Sequence, residues 1–308
     1  MKIFQGFEAL ENINNPVLTI GTFDGVHLGH HKIIKRLNFE AEKIGGESVL
    51  FTFNPHPRIV LYPENHGLKL IQTQAEKNDK LRRYGLDNII VHPFTKEFSR
   101  LSAIEFVRDY LVNKLHVKKL VIGYDHQFGK NREGNLKFLL DVCDTYDFQV
   151  LEIDAEEIDE VNISSTKIRK AIKKGDIKLA QRYLGEPFEL HGKIIEGQSL
   201  GRQIGFPTAN LDLESVIKLI PSPGVYAVNV RVEDKIHNGI ANMGIRPTVG
   251  GTSPVLEVHI FNFSKDIYAK RIEVEFFKKI REEKKFKSID LLKLQIQKDI
   301  EQAKKLLS

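Results

Sequence analysis

The chain has 308 residues, which is enough for one large domain or two domains of ordinary size. Hydrophobic residues make up 41% of it and charged residues 28%, a composition typical of globular proteins that bury a proper core. The formal net charge is +5, but 41 Asp and Glu accompany the 46 Lys and Arg. This balance disfavours a nucleic-acid binder and favours an enzyme whose partners are small phosphate-bearing molecules.

The sequence also bears on where the protein works. Its one cysteine, Cys143, cannot form an internal disulfide, and residues 1–8 lack the apolar block of a signal peptide. No apolar run approaches the roughly 20 residues that a membrane helix needs. We therefore expect a cytoplasmic protein that has no membrane partner.

Two regions of different pattern follow one another along the chain. Short apolar runs alternate with amphipathic stretches from Val17 to about Gly185, which predicts an α/β domain with a parallel sheet covered on both faces. From residue 188 to 280, short alternating runs separated by Gly, Pro and Asn predict a small antiparallel barrel or sandwich. Apolar residues at helical spacing over residues 288–307 predict a terminal helix packed on it. The predicted domains are therefore residues 1–186 and 187–308.

Residues 21–30 read Gly-Thr-Phe-Asp-Gly-Val-His-Leu-Gly-His, and we call this stretch the histidine loop. It lies between the apolar run Pro16–Ile20 and the amphipathic stretch His31–Ile44. A strand that passes through a glycine-rich bend into a helix start brings backbone N–H groups and the positive helix end together, which suits phosphate. His27 and His30 can offer two ring N–H donors to one phosphate chain. An arbitrary His-x-x-His is more often a helix cap, but the flanking glycines argue against that interpretation.

Two further loops follow predicted strands and should open at the same edge of the sheet. Asn54-Pro-His-Pro-Arg58 follows the apolar run Ser48–Phe53, and its two prolines exclude a helix and predict an extended loop. Asp125 follows the predicted strand Leu120–Ile122. Its carboxylate either forms an Asx turn or faces the site, and the sequence leaves both open.

Hydroxyl side chains open a later predicted helix that ends near Gly175. This helix start has three hydroxyl groups, more than one helix cap needs: those of Ser164, Ser165 and Thr166. With Arg169 one turn inside the helix, they form an arrangement that suits a triphosphate.

Two other helices begin with capping boxes. Thr73 pairs with Glu76 ahead of a helix that should reach Tyr84, and Ser102 pairs with Glu105. Because a capping box is explained by helix stability alone, both helices are interpreted as structural.

The second region contains its own group of polar residues. Thr208 and Asn210 lie two residues apart on an extended segment, so their side-chain oxygens point the same way and suit a Mg²⁺ that ATP carries. A hairpin loop with a proline turn is the simpler alternative. Glu257 lies inside the apolar run Leu256–Ile260, on the same side as His259. An edge-strand carboxylate and a catalytic base stay equally open for it.

These motifs occur in one order along the chain: 21–30, 54–58, 163–169, 201–210, 223–226, 246–248 and 257–259. The order resembles the prokaryotic bifunctional riboflavin kinase/FMN adenylyltransferase (FAD synthetase) family over essentially the whole chain. The resemblance implies a Rossmann-like nucleotidyltransferase domain followed by a barrel of the riboflavin kinase type with a terminal helix. It also implies that the second domain phosphorylates riboflavin to FMN, and that the first adenylylates FMN to FAD with release of pyrophosphate.

For the first domain, the resemblance assigns one set of residues to ATP: Gly21, Thr22, Phe23, His27, His30, Ser164, Ser165, Thr166 and Arg169. It assigns Asn54, Arg58 and Asp125 to FMN or the adenosine. His27 and His30 are the implied catalytic pair, because the FMN phosphate is already an anion and needs no base.

For the second domain, the resemblance makes Glu257 the base that takes the proton of the ribityl hydroxyl. It assigns a further set to ATP: Gly201, Arg202, Gly205, Thr208 and Asn210. Thr208 and Asn210 are also the implied ligands of Mg²⁺. The implied substrates and products are ATP, riboflavin, FMN and FAD.

The chain departs from the family pattern at three places. It has Phe261-Asn262-Phe263 where Leu-Asp-Phe is usual, Ile267-Tyr268-Ala269 where Leu-Tyr-Gly is usual, and His126-Gln127 where Phe-Arg is usual. We expect the glycine lost at Ala269 to reshape a turn, and the cation lost at Gln127 to remove a contact with the FMN phosphate. No residue assigned to chemistry changes, but with these departures the relative rates of the two steps do not follow from the sequence.

Two alternatives stand beside this interpretation. In the first, only one of the two activities works, and product analysis would then find FMN alone or no product. In the second, the chain is a non-catalytic flavin- or RNA-binding regulator, which its basic charge alone supports. RNA binding that weakens steeply with salt, without turnover, would favour that alternative. The oligomeric state does not follow from the sequence.

Overall fold

The computed structural model describes residues 1–8, 10–64, 67–123, 126–153, 163–196, 200–213, 217–248 and 251–308. These residues divide into two compact units, Met1–Ser165 and Thr166–Ser308. The predicted boundary between residues 186 and 187 stays a prediction of where the two functions divide.

A parallel sheet forms the centre of the first unit. Its strands are β1 (Lys2–Gln5), β2 (Val17–Ile20), β3 (Ser48–Phe53), β4 (Asn88–His92), β5 (Lys119–Gly123) and β6 (Gln149–Ile153). They lie in the order β1-β4-β3-β2-β5-β6, and every neighbouring pair is parallel. The predicted α/β class is therefore confirmed. β1 was missed because its residues are mostly exposed and precede the first alternating run.

Within the described residues, five α-helices connect these strands. They are α1 (Leu28–Lys43), α2 (Pro57–Leu61), α3 (Gln74–Arg83), α4 (Ala103–Phe106), which continues as a π-helix over Val107–Val112, and α5 (Leu136–Val142). Both predicted capping boxes form: the Thr73 side chain caps α3 and receives Glu76 in return, and Ser102 with Glu105 does the same for α4. Each box satisfies N–H groups that the first helical turn leaves without partners.

The short helix α2 contradicts the prediction of an extended loop at Asn54–Arg58. Pro57 is its first residue, a position where the missing proline N–H costs nothing and the fixed φ suits a helix. The peptide bond between Asn54 and Pro55 is cis, and His56 caps the helix by accepting from the amide of Arg58. Two prolines exclude a helix that continues through them, but they do not exclude one that begins at the second.

The central strands are buried on both faces. β2 is buried at every position, and β3 at five of its six. Leu18 and Phe51 belong to a hydrophobic cluster that includes residues of α4 and α5 on one face, and Val17 and Leu50 to a cluster with α1 on the other. Since neighbouring residues of a strand point to opposite faces, the continuous apolar runs in the sequence reflect this double covering.

The sheet changes its direction of winding at β2. The chain passes from β2 to β3 on one side, whereas β5 lies on the other side of β2. Open α/β sheets bind ligands in the crevice at the carboxyl ends of the strands at such a switch point. The histidine loop leaves β2 there and leads into α1.

A closed antiparallel barrel forms most of the second unit. Its strands are β7 (Phe188–Ile195), β8 (Ala209–Leu213), β9 (Gly224–Val232), β10 (Lys235–Thr248), β11 (Gly251–Ile260) and β12 (Arg271–Arg281). They close in the order β10-β11-β8-β7-β12-β9, so the barrel alternative is confirmed and the sandwich is not. The sequence analysis placed Thr208 and Asn210 on an extended segment but did not predict β8 as a strand of the barrel, since it is short and follows the proline at position 207.

The second unit also contains four helices within its described residues. They are α6, which begins at the unit boundary (Ser165–Lys174), α7 (Ile177–Leu184), α8 (Leu200–Gln203) and α9 (Ile289–Leu307). The predicted terminal helix is α9, and it packs on the barrel through Ala303, Ile296 and Ile300 against a cluster that includes Val225 and Ile240. Among the described residues, no helix has the length and hydropathy to cross a membrane.

Ala269 occupies a backbone conformation that favours glycine. Its φ is 61°, and its amide donates to the carbonyl of Ile194 at 3.0 Å. A side chain with a Cβ costs about 1 kcal/mol or more in this left-handed region. We therefore expect Ala269→Gly to raise the free energy of unfolding by about 1 kcal/mol, as measured by denaturant titration. Ala75→Gly, at an exposed helical position of α3, should lower it instead, and destabilisation by Ala269→Gly would contradict the expectation.

Candidate active sites

The histidine loop has a tightly bent backbone. Phe23 and Val26 have positive φ values of 48° and 36°, and Gly25 has 88°. Non-glycine residues in this region cost of order 1–3 kcal/mol each, and both side chains are held there by burial. A Cβ on Gly25 would lie 3.1 Å from the side chain of Ile71, a tight contact, and the positive φ of this residue also favours glycine. The surrounding structure therefore determines the path of this loop.

The two histidines of the loop are stacked. The ring centroids of His27 and His30 are 3.7 Å apart, and the ring of Phe23 stacks on the other side of His30 at 4.4 Å. His27 caps α1: its Nδ1 accepts from the amide of His30 at 3.4 Å, so its Nε2 carries the ring proton. The predicted pair is thus brought together at the amino end of a 16-residue helix.

His30 is held in its neutral form. Burial lowers its pKa well below the ordinary value, and electrostatic interactions with His27, Lys80 and Lys77 act in the same direction. Its Nδ1 is buried and has no hydrogen-bond partner within the described part of the chain. A neutral imidazole still has one N–H donor, so His30 can donate to a phosphate oxygen without being a cation.

Two buried lysines of α3 contact the carbonyl groups of the histidine loop. Lys77 Nζ donates to the Thr22 carbonyl at 3.1 Å and to Thr52 Oγ1 at 3.2 Å. Lys80 is fully buried, and its Nζ donates to the Gly25 carbonyl at 3.4 Å. Burial lowers the pKa of Lys77 to about 8, although the nearby charge of Asp24 acts in the opposite direction. The interpretation of α3 as a purely structural helix missed these contacts.

Asp24 anchors the loop from its other side. Its carboxylate is 5% exposed and accepts from the amide of Ile71 at 3.0 and 3.1 Å and from that of Gln72 at 3.3 Å. Its own carbonyl accepts from Ser165 Oγ at 2.8 Å. Among these contacts the Asp24 side chain is a structural acceptor, and Ser165 joins the start of α6 to the loop.

The structure shows fewer contacts for the other residues of this unit that are predicted to bind ATP. Gly21 continues β2, and its amide donates to the Phe51 carbonyl at 3.0 Å. Ser164 is half-buried immediately before α6. Thr166 and Arg169 lie further along α6, in the second unit, so their role toward ATP stays a prediction.

A group of aromatic rings lies where β3 and β4 end. Phe53 packs against Phe94 and Phe98 with ring centroids 5.4 and 5.6 Å apart, and His92 lies 4.8 Å from Phe98. The rings of Phe53, Phe94 and Phe98 are half-buried. The sequence analysis did not single out these rings, because aromatic residues in and after strands are usually core.

The predicted FMN or adenosine residues follow the same strands. Asn54 and Arg58 are exposed after β3, and the Asn54 amide donates to the His92 carbonyl at 3.1 Å. Asp125 lies outside the described residues. Their roles therefore stay predictions.

A cavity of about 270 Å³ opens in the second unit, between the barrel and α9. Among its lining residues are four of the predicted kinase residues: Gly201, Thr208, Asn210 and Glu257. Arg202 and Gly205 are exposed and do not line it. The side-chain oxygen donors that the sequence predicted, those of Thr208, Asn210 and Glu257, therefore line one cavity.

Strand register explains why Glu257 faces the cavity. It lies opposite Asn210 of β8 and opposite Asn242 of β10, and all three line the cavity. The neighbours Leu256 and Val258 are buried in the barrel interior. The alternation that the sequence indicated is therefore present, and β11 is not an edge strand, because it pairs with β10 on one side and β8 on the other. Asn242 was missed because its place depends on a strand pairing that is not local in sequence.

The segment before β8 is a closed turn. The Phe206 amide donates to the Gly201 carbonyl at 2.8 Å, and His259 Nδ1 hydrogen-bonds the Pro207 carbonyl at 2.8 Å. A Cβ on Gly201 would overlap the Phe206 carbonyl, so only glycine fits there. His259 thereby holds the turn against β11, close to Thr208 and Asn210.

A buried ion pair fixes α9 at the cavity wall. The Asp299 carboxylate is 1% exposed and accepts from Arg281 Nε at 3.0 Å and Nη2 at 2.8 Å. Gln295 donates to the same carboxylate at 2.9 Å. Arg281 and Asp299 line the cavity, and the sequence analysis assigned neither, since each reads as one charge among many.

Comparison with known proteins assigns each half of the chain to a family. Residues 10–167 match the FAD synthetase family and residues 184–307 the riboflavin kinase family. A bifunctional riboflavin kinase/FMN adenylyltransferase of Haemophilus influenzae is 43% identical over 93% of this chain and 92% of its own. The chain belongs to the bifunctional riboflavin kinase/FMN adenylyltransferase family. Its counterpart in Buchnera aphidicola (subspecies Schizaphis graminum) is 40% identical over 99% of this chain and 98% of its own.

The fold of this family member is also found in a crystal structure. A protein from Streptococcus pneumoniae named macrolide-efflux protein is similar with a TM-score of 0.90 and 32% identity, over 98% of each chain. The similarity therefore extends over both halves of the chain.

The Asp24 carboxylate should be a main source of stability in the first unit of this family member. Asp24→Ala leaves the buried amides of Ile71 and Gln72 without their acceptor, which costs about 2–3 kcal/mol of unfolding free energy. Urea titration checks this. Asp79→Ala, which removes an exposed carboxylate paired with Arg82, should change the value by less than about 0.5 kcal/mol. Equal effects of the two substitutions would show that Asp24 has no special role.

His92 should make the first unit sensitive to acid. Burial, with the charge of Lys114, lowers its folded pKa to about 4, so the unfolded chain takes up its proton first as the pH falls below about 6.5. Stability present above that pH is therefore lost toward pH 4. We expect His92→Phe to lose less unfolding free energy than the parent between pH 7 and 4.5, measured by urea titration at each pH. The exposed His116→Gln should lose as much as the parent, and an unchanged slope in His92→Phe would contradict the assignment.

Proposed function

We propose that this chain makes FAD from riboflavin in two ATP-dependent steps. The barrel unit phosphorylates riboflavin to FMN and releases ADP, and the α/β unit transfers AMP from a second ATP to FMN and releases pyrophosphate. The observation that carries the proposal is the agreement of each family match with a formed site: the histidine loop in the first, and the Glu257 cavity in the second.

The adenylyl transfer needs no general base. The attacking group is the phosphate of FMN, which is already an anion at neutral pH, so positioning and stabilisation of charge are enough. Neutral His30 and the Nε2–H of His27 supply donors at the amino end of α1, where the helix also favours anions. A neutral imidazole does not give up its N–H proton to a phosphate, so His30 would remain a donor throughout the reaction. We assign His27 and His30 to the phosphates of ATP on this ground, with Gly21, Thr22 and Phe23 as the supporting backbone.

The flavin of FMN needs flat apolar surfaces in the first unit. The half-buried rings of Phe53, Phe94 and Phe98 lie at the carboxyl ends of β3 and β4 and suit stacking with an aromatic ligand. Asn54 and Arg58 are exposed beside the end of β3, where an amide and a cation would meet the polar end of FMN. We propose that these residues bind FMN.

The kinase step has a different requirement. The attacking ribityl hydroxyl is neutral and must lose its proton during transfer. Glu257 faces the cavity from β11 and is the carboxylate that we propose as its base. Phe206, Ile204 and Leu292 are apolar residues of the same cavity, and they suit the flavin ring.

The cavity also has the donors for a magnesium ion. Thr208 and Asn210 offer a hydroxyl and an amide oxygen on its wall, and hard oxygen ligands are those that Mg²⁺ prefers. The donor set therefore fits the ion that accompanies ATP. When bound, Mg²⁺ neutralises negative charge on the transferred phosphoryl group. Thr208 and Asn210 would hold it, and Gly201 would let the turn of residues 201–206 approach the phosphates.

One assay tests the proposal as a whole. The protein is mixed with riboflavin, Mg²⁺ and ATP, and the flavins are separated by chromatography. We expect FMN first and then FAD. FMN alone or no product would contradict the bifunctional proposal.

Replacement of His30 should separate the two steps. His30→Ala removes a phosphate donor of the adenylyl transfer, so FAD formation should fall at least about a hundredfold while FMN accumulates. The matched control is His31→Ala, because His31 is the next residue but stacks on Tyr84 with ring centroids 4.0 Å apart. It should keep FAD formation within about twofold of the parent. Loss of FMN formation in a folded His30→Ala protein would show that the sites are not independent.

Replacement of Glu257 should give the reverse result. Glu257→Gln removes the proposed base, so phosphorylation of riboflavin should fall by about 10²–10⁴-fold while supplied FMN is still converted to FAD. Glu273→Gln is the control: its carboxylate pairs with Arg231 at 3.1 Å on the face of β12 opposite the buried Ile272 and Val274. Full kinase activity in Glu257→Gln would remove Glu257 from the mechanism.

A further inference from the structure

The buried lysines of α3 have a role that their packing alone does not explain. A buried lysine that only fills space is expensive, because burial disfavours its charge. Lys77 and Lys80 are 7% and 0% exposed, and both direct their ammonium groups at carbonyls of the histidine loop. Asp24 is the carboxylate whose charge acts on Lys77. The two lysines come from a helix that begins about fifty residues after the loop, so the contact is tertiary.

The directions of the Thr22 and Gly25 carbonyls determine where the neighbouring N–H groups of the histidine loop point. In a trans peptide the C=O and the following N–H point in opposite directions. The Thr22 carbonyl points to Lys77 and Thr52, and so the N–H of Phe23 points away from α3. The Gly25 carbonyl points to Lys80, and a single residue, Val26, separates Gly25 from His27. The lysines thus hold the histidine loop at Thr22 and at Gly25, on either side of Phe23 and Asp24.

We infer that Lys77 and Lys80 are positioning residues for ATP in the adenylyl-transfer site: by holding the Thr22 and Gly25 carbonyls, they keep the donors of the histidine loop directed at the triphosphate. This inference rests on the proposed adenylyltransferase function. The lysines themselves do not touch the substrate. Burial is the main cause of the lowered pKa of His30, and the charges of Lys80 and Lys77 act in the same direction.

The test separates binding of ATP from the amount of active enzyme. Lys77→Met and Lys80→Met keep an unbranched side chain that is one atom shorter, and they remove its charge and its donors. FMN is supplied, and KM for ATP and kcat are measured for FAD formation, with riboflavin phosphorylation by the same protein as an internal reference. A purely structural lysine would lower kcat through a smaller folded fraction and leave KM unchanged, since KM does not depend on that fraction.

We expect KM for ATP in FAD formation to rise at least about tenfold in Lys77→Met, and kcat to change less than KM does. Arg82→Met is the matched control, because it removes an exposed cation of the same helix that pairs with Asp79. Its KM should stay within about twofold of the parent. If Lys77→Met does not fold, Lys80→Met is judged by the same criterion.

Two results would overturn the inference while leaving the proposed function intact. The first is a parent protein that makes FAD together with lysine variants whose KM is unchanged. The second is an equal rise of KM in Arg82→Met, which would reflect general charge rather than the contacts with the loop. A parent protein that makes no FAD would instead contradict the proposed function itself.

Discussion

Buried ionic groups beneath the histidine loop are what the first site depends on. Lys77 and Lys80 donate to two carbonyls of the bend, and Asp24 accepts from two amides of the segment that follows residue 70. Each of these groups would be costly in the core without its partner, so the loop and its supports are stable only together. The positive φ values of Phe23 and Val26 are a consequence, because the contacts determine the path of the backbone.

The two halves of the chain have different architectures. In the proposed mechanism, the reaction of the second half requires removal of a proton and that of the first does not. A parallel sheet ends its strands at one edge and begins helices there, which collects N–H donors for an anionic nucleophile and a triphosphate. A closed barrel directs alternate residues of neighbouring strands to one side, which brings Glu257, Asn210 and Asn242 to one cavity. In the proposed mechanism, the first arrangement supplies donors without a base, and the second supplies a carboxylate for a hydroxyl.

The sequence predicted what depends on local signals. The capping boxes at Thr73 and Ser102, the histidine pair, and the alternation around Glu257 are all readable from neighbouring residues. It could not predict contacts made across the fold. The lysines of α3 contact the histidine loop across a separation of 55 residues in sequence.

Two further features show the same limit. The pairing of Arg281 with Asp299 joins the end of the barrel to the terminal helix, and nothing near either residue indicates it. The error at Pro57 was of another kind: a general rule against proline in helices was applied at the one helical position that accepts it.

The central claim for the first site is that His30 is a neutral donor in its buried setting, and NMR titration of ¹⁵N-labelled histidine side chains tests it most directly. The ring nitrogen shifts of His30, assigned by comparison with His30→Ala, would be followed from about pH 8 down to about pH 5.5. The account predicts that His30 remains neutral at about pH 6, where an ordinary histidine is mostly protonated. A His30 ring that titrates at or above about pH 6.5 would contradict it.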